Sequence, residues 1–346
     1  MGHQGVIKGS DPLMTVCPSD DTGSENQHVI KGSDPLMTLE ILIKFCNFVG
    51  FDMSVTKRYI VAGHAFSMTL PEDRELWDAL NQYEPFEADG GEELFKLEMV
   101  SELPEITVEV EYDAPTEDGE TVIRLLKAAS GEWLIEMKPD HRMQVCGRML
   151  CSPDFKKAEL LVANNSLRSK LFCINNSAMV LYAFTSFSQD TLEMHSSVVV
   201  KGGKAFLFLG KSGAGKSTHS RMWLEHLQDC ELMNDDNPVI RVGEDGTVTA
   251  YGSPWSGKTP CYKNISAPVG AFVQIRQCPE NRIKRMSVLE AYATLYSSCS
   301  GYKTESGMAD GLHRTMEKVV TGVPFFLLDC RADREAAEIC SEAVCR

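Results

Sequence analysis

AFLFLGKSGAGKSTHSRMWLEHL, residues 205–227, sets three kinds of sequence in a fixed order. AFLFL is a short apolar run of the kind that forms a buried strand, and KSTHSRMWLEHL from residue 216 is compatible with a helix. Between them, GKSGAGKS at 210–217 matches G-x-x-x-x-G-K-[ST] at every fixed position, with Gly210, Gly215, Lys216 and Ser217 in register. Strand, glycine-rich loop and helix is the order a phosphate-binding loop requires. Glycine lets successive backbone N–H groups turn inward without Cβ clashes, which makes an anion nest at a helix N-terminus. The spacing therefore places Gly210, Ser212, Gly213, Ala214, Gly215, Lys216, Ser217 and Thr218 around the phosphates of a nucleotide. Lys216 is expected to reach the β and γ phosphates. The Ser217 hydroxyl is expected to complete the shell of a magnesium ion, which needs hard oxygen ligands. ATP is the expected nucleotide, and nothing in the loop separates it from GTP.

Outward from this stretch the chain divides. From 191 to 346 apolar strands alternate with amphipathic helices, with strands expected at 196–200, 204–209, 269–275 and 323–329 and helices at 216–228, 287–298 and 332–344. This is an α/β pattern. The glycines and polar residues of 300–311 predict a mobile loop. From 39 to 190 the signals are mostly short strands, at 58–62, 106–112 (ITVEVEY, period two), 121–126 and 132–137, joined by turn-rich DAPTEDGE and KPDHR. A mainly antiparallel sheet is expected there, with a helix near 72–82; residues 155–184 do not decide between strand and helix. VIKGSDPLMT occurs at 6–15 and again at 29–38. Two copies cannot build a solenoid, so residues 1–38 read as a leader, an artificial addition or a start-site duplication outside the fold.

Downstream, LMNDDNPVI at 232–240 ends an apolar run in paired carboxylates, Asp235 and Asp236. With Ser217, one of them could hold magnesium while the other accepts the proton of an attacking hydroxyl, since a cation and a like charge push adjacent carboxyl pKa values apart. YGSPWSGK at 251–258 is a stiff loop with Lys258 at its end. Either Lys258 neutralises charge on a transferred phosphoryl group, or the loop is a structural turn with Trp255 in the core. Arg221, Arg276 and Arg282 are further cationic candidates that nothing local separates from surface arginines.

With these elements in order, residues 190–346 resemble the nucleotide domain shared by HPr kinase/phosphorylase and phosphoenolpyruvate carboxykinase. EMHSSVVV with His195, GKSGAGKST, NDD at 234–236, YGSPWSGK and the closing VPFFLLDCRADREAAEIC carry the resemblance. It implies a P-loop kinase domain with a mixed sheet, in which Lys216 and Ser217 hold ATP, Asp235 and Asp236 serve metal and base roles, and His195 lies beside the phosphates. The signature stretch that follows the aspartates in HPr kinases is not found here, which argues against HPr as substrate. Carboxykinases are longer and use Arg, Lys and His positions that this chain does not match.

Composition bounds these readings. The chain has 346 residues, 43% hydrophobic and 24% charged, as in ordinary globular proteins. The formal net charge of −15 opposes nucleic-acid or anionic-membrane binding. Most of the excess lies in residues 71–120, where eighteen Asp or Glu face only Arg74 and Lys96. That stretch reads as a solvated acidic face or a docking surface for a basic partner. Twelve cysteines scattered over a long chain without an evident signal peptide, and no apolar run of membrane length, fit reduced thiols in the cytoplasm. The expected activity is ATP/Mg-dependent transfer of a γ-phosphoryl group to a hydroxyl, on a small molecule or a protein or peptide serine. The N-terminal half would select this acceptor, and a homo-oligomer is compatible with it. The competing expectation is a nucleotide-binding regulatory module with little turnover.

Overall fold

The structure, a computed structural model, describes residues 53–113, 121–257 and 259–345. The duplicated segment and Lys258 lie outside them. The architecture is α/β with two mixed sheets.

The first sheet holds β1 (Ser54–Val61), β2 (His64–Pro71), β3 (Glu93–Met99), β4 (Val108–Asp113), β5 (Val122–Ala128), β6 (Trp133–Lys138), β7 (Gly147–Cys151) and β8 (Lys157–Val162), in the order β1-β2-β3-β8-β7-β6-β5-β4. Its neighbours are antiparallel except for two parallel pairs, β2 with β3 and β3 with β8. Alternation explains the pairing: Trp133, Ile135 and Met137 of β6 are buried while the residues between them are half-exposed. The helix expected near 72–82 is short. It is α1 (Arg74–Ala79), capped by Asp73, and it passes into a 3₁₀ turn at Asn81–Phe86 that contains Pro85, a residue an α-helix interior does not tolerate.

The undecided stretch 155–184 contains β8 and then α2 (Leu167–Ser186). Fifteen of the twenty residues of α2 are buried, so the helix has no polar face, and this is why its sequence lacks helical periodicity. On one side the Tyr182 hydroxyl donates to the Val61 carbonyl at 2.9 Å. On the other, the Tyr182 ring meets Trp255 at 5.2 Å and Phe184 meets Tyr302 at 6.3 Å. One hydrophobic core therefore runs from Tyr59 through α2 to Phe325.

The second sheet holds β9 (Thr191–Glu193), β10 (Ser196–Lys201), β11 (Lys204–Leu209), β12 (Cys230–Asn234), β13 (Val239–Val242), β14 (Val248–Tyr251), β15 (Ser266–Gln277), β16 (Arg282–Arg285) and β17 (Phe325–Cys330). The long β15 links its two parts. The start of β15 pairs with β14 antiparallel, and its remainder lies parallel between β11 and β17. Helix α3 (Lys216–His226) follows β11, and α4 (Val288–Ser298) opens with a Ser287/Glu290 capping box. Helix α6 (Arg334–Val344) is capped by Asp333 and packs its apolar stripe on the outer face of the sheet with Trp223 and Phe206.

The loop expected at 300–311 is shorter in the structure: residues 300–305 connect two helices, and 306–311 are helical. Tyr302 is buried against Tyr112 and Trp133, and the Glu305 side chain caps α5 (Ser306–Gly322) by accepting from Met308 N at 2.7 Å. Gly307 and Gly311, which suggested flexibility, lie inside this helix. A Cβ at Gly311 would come within 2.5 Å of the Phe187 ring, so that glycine serves close packing. The ten described cysteines are free thiols; Cys146, Cys151 and Cys340 are buried, and Cys345 is exposed. No helix among the described residues is long and apolar enough to cross a membrane.

Candidate functional site

The loop at 210–215 lies at the C-terminal ends of the parallel strands β11, β15 and β17, the edge where α/β sheets bind ligands. Gly210, at φ 150°, follows the fully buried Leu209; a Cβ there would lie 2.9 Å from Ala214 Cβ and 3.2 Å from the Ile275 carbonyl. Gly215 caps α3 in the left-handed region at φ 101°. Gln277 at the end of β15 donates through Nε2 to the Gly213 carbonyl at 3.0 Å, tying the loop to the sheet. Ser212, Gly213 and Ser217 are exposed, while Ala214, Gly215 and Thr218 are half-buried.

Lys216 is buried, and its Nζ donates to the Gly210 carbonyl at 3.1 Å and to His195 Nε2 at 2.8 Å. An ammonium group only donates, so Nε2 accepts and the ring proton resides on Nδ1. His195 Nδ1 lies 3.1 Å from Asp236 Oδ1, without the alignment of a full hydrogen bond. His195 stands in the break between β9 and β10, its N–H on the Ser298 carbonyl at 2.7 Å. Asp236 is held by its own N–H on Asn234 Oδ1 at 2.8 Å and by Asn237 Nδ2 donating to Oδ2 at 3.0 Å. Asp235 Oδ1 accepts from Ser197 Oγ at 2.8 Å. Ser197 has one proton and gives it to Asp235, so Ser220 of α3 donates to Ser197 across their 2.5 Å contact. Both aspartates are buried, and Asp235 Oδ2 has no hydrogen-bond partner among the described residues.

Lys216, His195 and Asp236 thus meet in one array, and Asp235 adjoins α3 through two serines. The 251–257 loop reaches the same turn: a Cβ on Gly257 would lie 3.2 Å from Asp236 Cβ. Trp255 in that loop is 3% exposed and donates through Nε1 to the Tyr83 hydroxyl at 3.1 Å, so the loop is anchored in the core through its tryptophan. The three arginine candidates form ion pairs, Arg221 with Glu225, Arg276 with Asp329 and Arg282 with Glu280.

Three groups escaped the sequence reading. Glu193 is 1% exposed, and burial, reinforced by the nearby Asp236 charge and only weakly opposed by Ser300, raises its carboxyl well above the usual range. The shift favours the protonated form of this acid beside the array, and its only sequence signal is an acidic residue inside the apolar stretch TLEM. Ser197 and Ser220 carry no local signal, because their role depends on two elements meeting.

Among the described residues, no group of three or more His, Cys, Asp and Glu could by itself cage a metal ion. The donors do suit magnesium, which binds through one or two carboxylates with phosphate and water completing its shell, and the orphaned, buried Asp235 Oδ2 is an acceptor of that kind. No family model matches this chain, and no curated protein matches it.

Proposed function

We propose that this chain is an ATP- and magnesium-dependent phosphotransferase whose α/β P-loop half moves a γ-phosphoryl group to a hydroxyl of a small molecule or of a protein or peptide serine. The observation that carries the reading is the array Lys216–His195–Asp236 at the mouth of the glycine loop. A loop that only bound phosphate would have no use for a buried carboxylate coupled through an imidazole to its lysine. The sequence resemblance to HPr kinase/phosphorylase supports the same reading.

In this mechanism the loop N–H groups and Lys216 hold and orient the phosphates. Ser217 and Asp235 would hold magnesium, which supplies charge neutralisation when bound; Asp235 is preferred because Ser220, bonded to its partner Ser197, lies three residues along α3 from Ser217 and so on the same face. The acceptor hydroxyl forms its bond to the γ-phosphorus as the bridging γ-phosphorus–oxygen bond breaks. ADP departs, and the hydroxyl proton passes to Asp236, oriented by Asn237 and His195. Positioning and electrostatics supply most of the rate.

The test combines calorimetry of Mg-ATP and Mg-GTP binding with labelled γ-phosphate transfer into metabolite and protein pools. Asp236→Asn is expected to retain binding and to lose transfer by about 10²-fold or more, and Lys216→Ala to lose both. Tight binding by the wild-type chain without transfer would replace the enzyme with a nucleotide-responsive regulatory module.

A further inference from the structure

Beside the phosphate loop lies a cavity of about 520 Å³, lined by neither aspartate nor His195, that the phosphotransfer chemistry leaves unused. Ala214 and Thr218 of the loop and first helical turn, Ile275 of β15, Cys278 and Pro279 just beyond it, and Cys330 at the end of β17 line it, with Gln277 and Arg331 also on its lining. Its size falls within the range of small-molecule sites, and its walls are mostly apolar. One buried polar ring lines it, that of His219, 3% exposed.

His219 is fixed in every respect that matters for recognition. Trp223 Nε1 donates to its Nε2 at 3.0 Å. An indole nitrogen can only donate, so Nε2 accepts and the ring proton is on Nδ1. Phe208 meets the ring edge-on at 4.7 Å and sets its plane. Nδ1 has no protein acceptor among the described residues, nor is it among the atoms sealed from solvent without a partner. The solvent-reachable Nδ1–H is therefore left open to an acceptor on a bound molecule.

We propose that this cavity is the purine pocket of the nucleotide site, and that His219 Nδ1–H reads an acceptor nitrogen of the base. The inference rests on the phosphate-loop reading above and adds to it where the base sits and the residue that selects it. A purine supplies a flat apolar body for Ile275 and Pro279 and unsubstituted acceptor nitrogens on its edges. Its triphosphate would reach the adjoining loop.

The experiment measures dissociation constants of Mg-ATP, Mg-CTP and inorganic triphosphate for the wild-type chain and for His219→Leu. The expected result is that wild type prefers ATP to CTP, and that His219→Leu weakens ATP about 10-fold while leaving inorganic triphosphate within 2-fold. One of the 1-deaza, 3-deaza and 7-deaza analogues of ATP should reproduce that loss on wild type and cause no further loss on the variant. Equal weakening of ATP and triphosphate would assign His219 to holding the loop and overturn the proposal, as would equal ATP and CTP affinities. Triphosphate binding without any contribution from a base overturns the pocket alone; no binding of either overturns the phosphate-loop reading with it. If His219→Leu does not fold, alkylation of Cys278 on the wild-type chain decides, read by peptide mass spectrometry. Protection by ATP but not by inorganic triphosphate supports the pocket, and equal reactivity with both overturns it.

Discussion

The two sheets bury different things. The interior of the first is mostly rings and aliphatic chains, with His64 and Ser67 of β2 its buried polar exceptions: Phe66 stacks on Phe95 at 4.8 Å, Trp133 on Phe155 at 5.6 Å, and Leu125, Ile135 and Met149 are fully enclosed. The second encloses Glu193, Ser197, Lys216, His219, Asn234, Asp235 and Asp236 within one turn-rich edge. Buried polar groups are costly even when paired, and an unpaired acceptor such as Asp235 Oδ2 more so. A fold does not gather such groups at one edge for stability. The contrast separates the region that holds the molecule together from the region where its chemistry is proposed.

That separation is breakable by experiment. Phe95→Ala, in the first sheet, is expected to cost about 3–5 kcal/mol in urea unfolding and to leave nucleotide affinity within 2-fold. A large affinity loss at retained fold would mean that the first sheet shapes the site. Acid should act across both sheets. Burial, aided at His64 by Arg241, holds His64 and His219 at about 4, below the ordinary 6.5. Between those values the unfolded chain binds more protons than the folded one. Stability therefore falls as pH drops from 6.5 to 4, by roughly 3 kcal/mol for each histidine, and denaturant titrations across that window would measure it. Glu193 has the opposite sign: its raised carboxyl pKa makes stability fall as pH climbs above 4.5. Glu193→Gln should accordingly raise the melting temperature at pH 8, with the gain shrinking towards pH 4.5; a variant less stable at pH 8 would show that the carboxylate is needed charged. The smallest effect is expected at the sheet margin, where Arg276 pairs with Asp329 with its side chain mostly exposed. Arg276→Ala should leave the melting temperature almost unchanged, and whatever difference it makes should fade further in salt.

Legibility in the sequence followed the same divide. β11 and the start of α3 lie where the apolar run and the glycine spacing put them, because both signals are local. Lys216, Asp235, Asp236 and His195 were legible as a set only through motif order, and the structure brings them to one edge. Helix α2 was not legible: a segment enclosed on all sides has no polar face to mark its period. Gly307 and Gly311 misled for a related reason, since the sequence cannot separate a glycine that loosens the chain from one that admits Phe187. His219 reads as an ordinary helix residue until Trp223, four residues on, is seen to fix its proton.

The enclosure of α2 also governs how the molecule comes apart. Neither sheet can separate without exposing a helix that is enclosed along most of its length, so heating should give one calorimetric transition, with the van't Hoff and calorimetric enthalpies in agreement. Cutting the chain near residue 190 would strand that surface on the N-terminal fragment and leave it prone to aggregate.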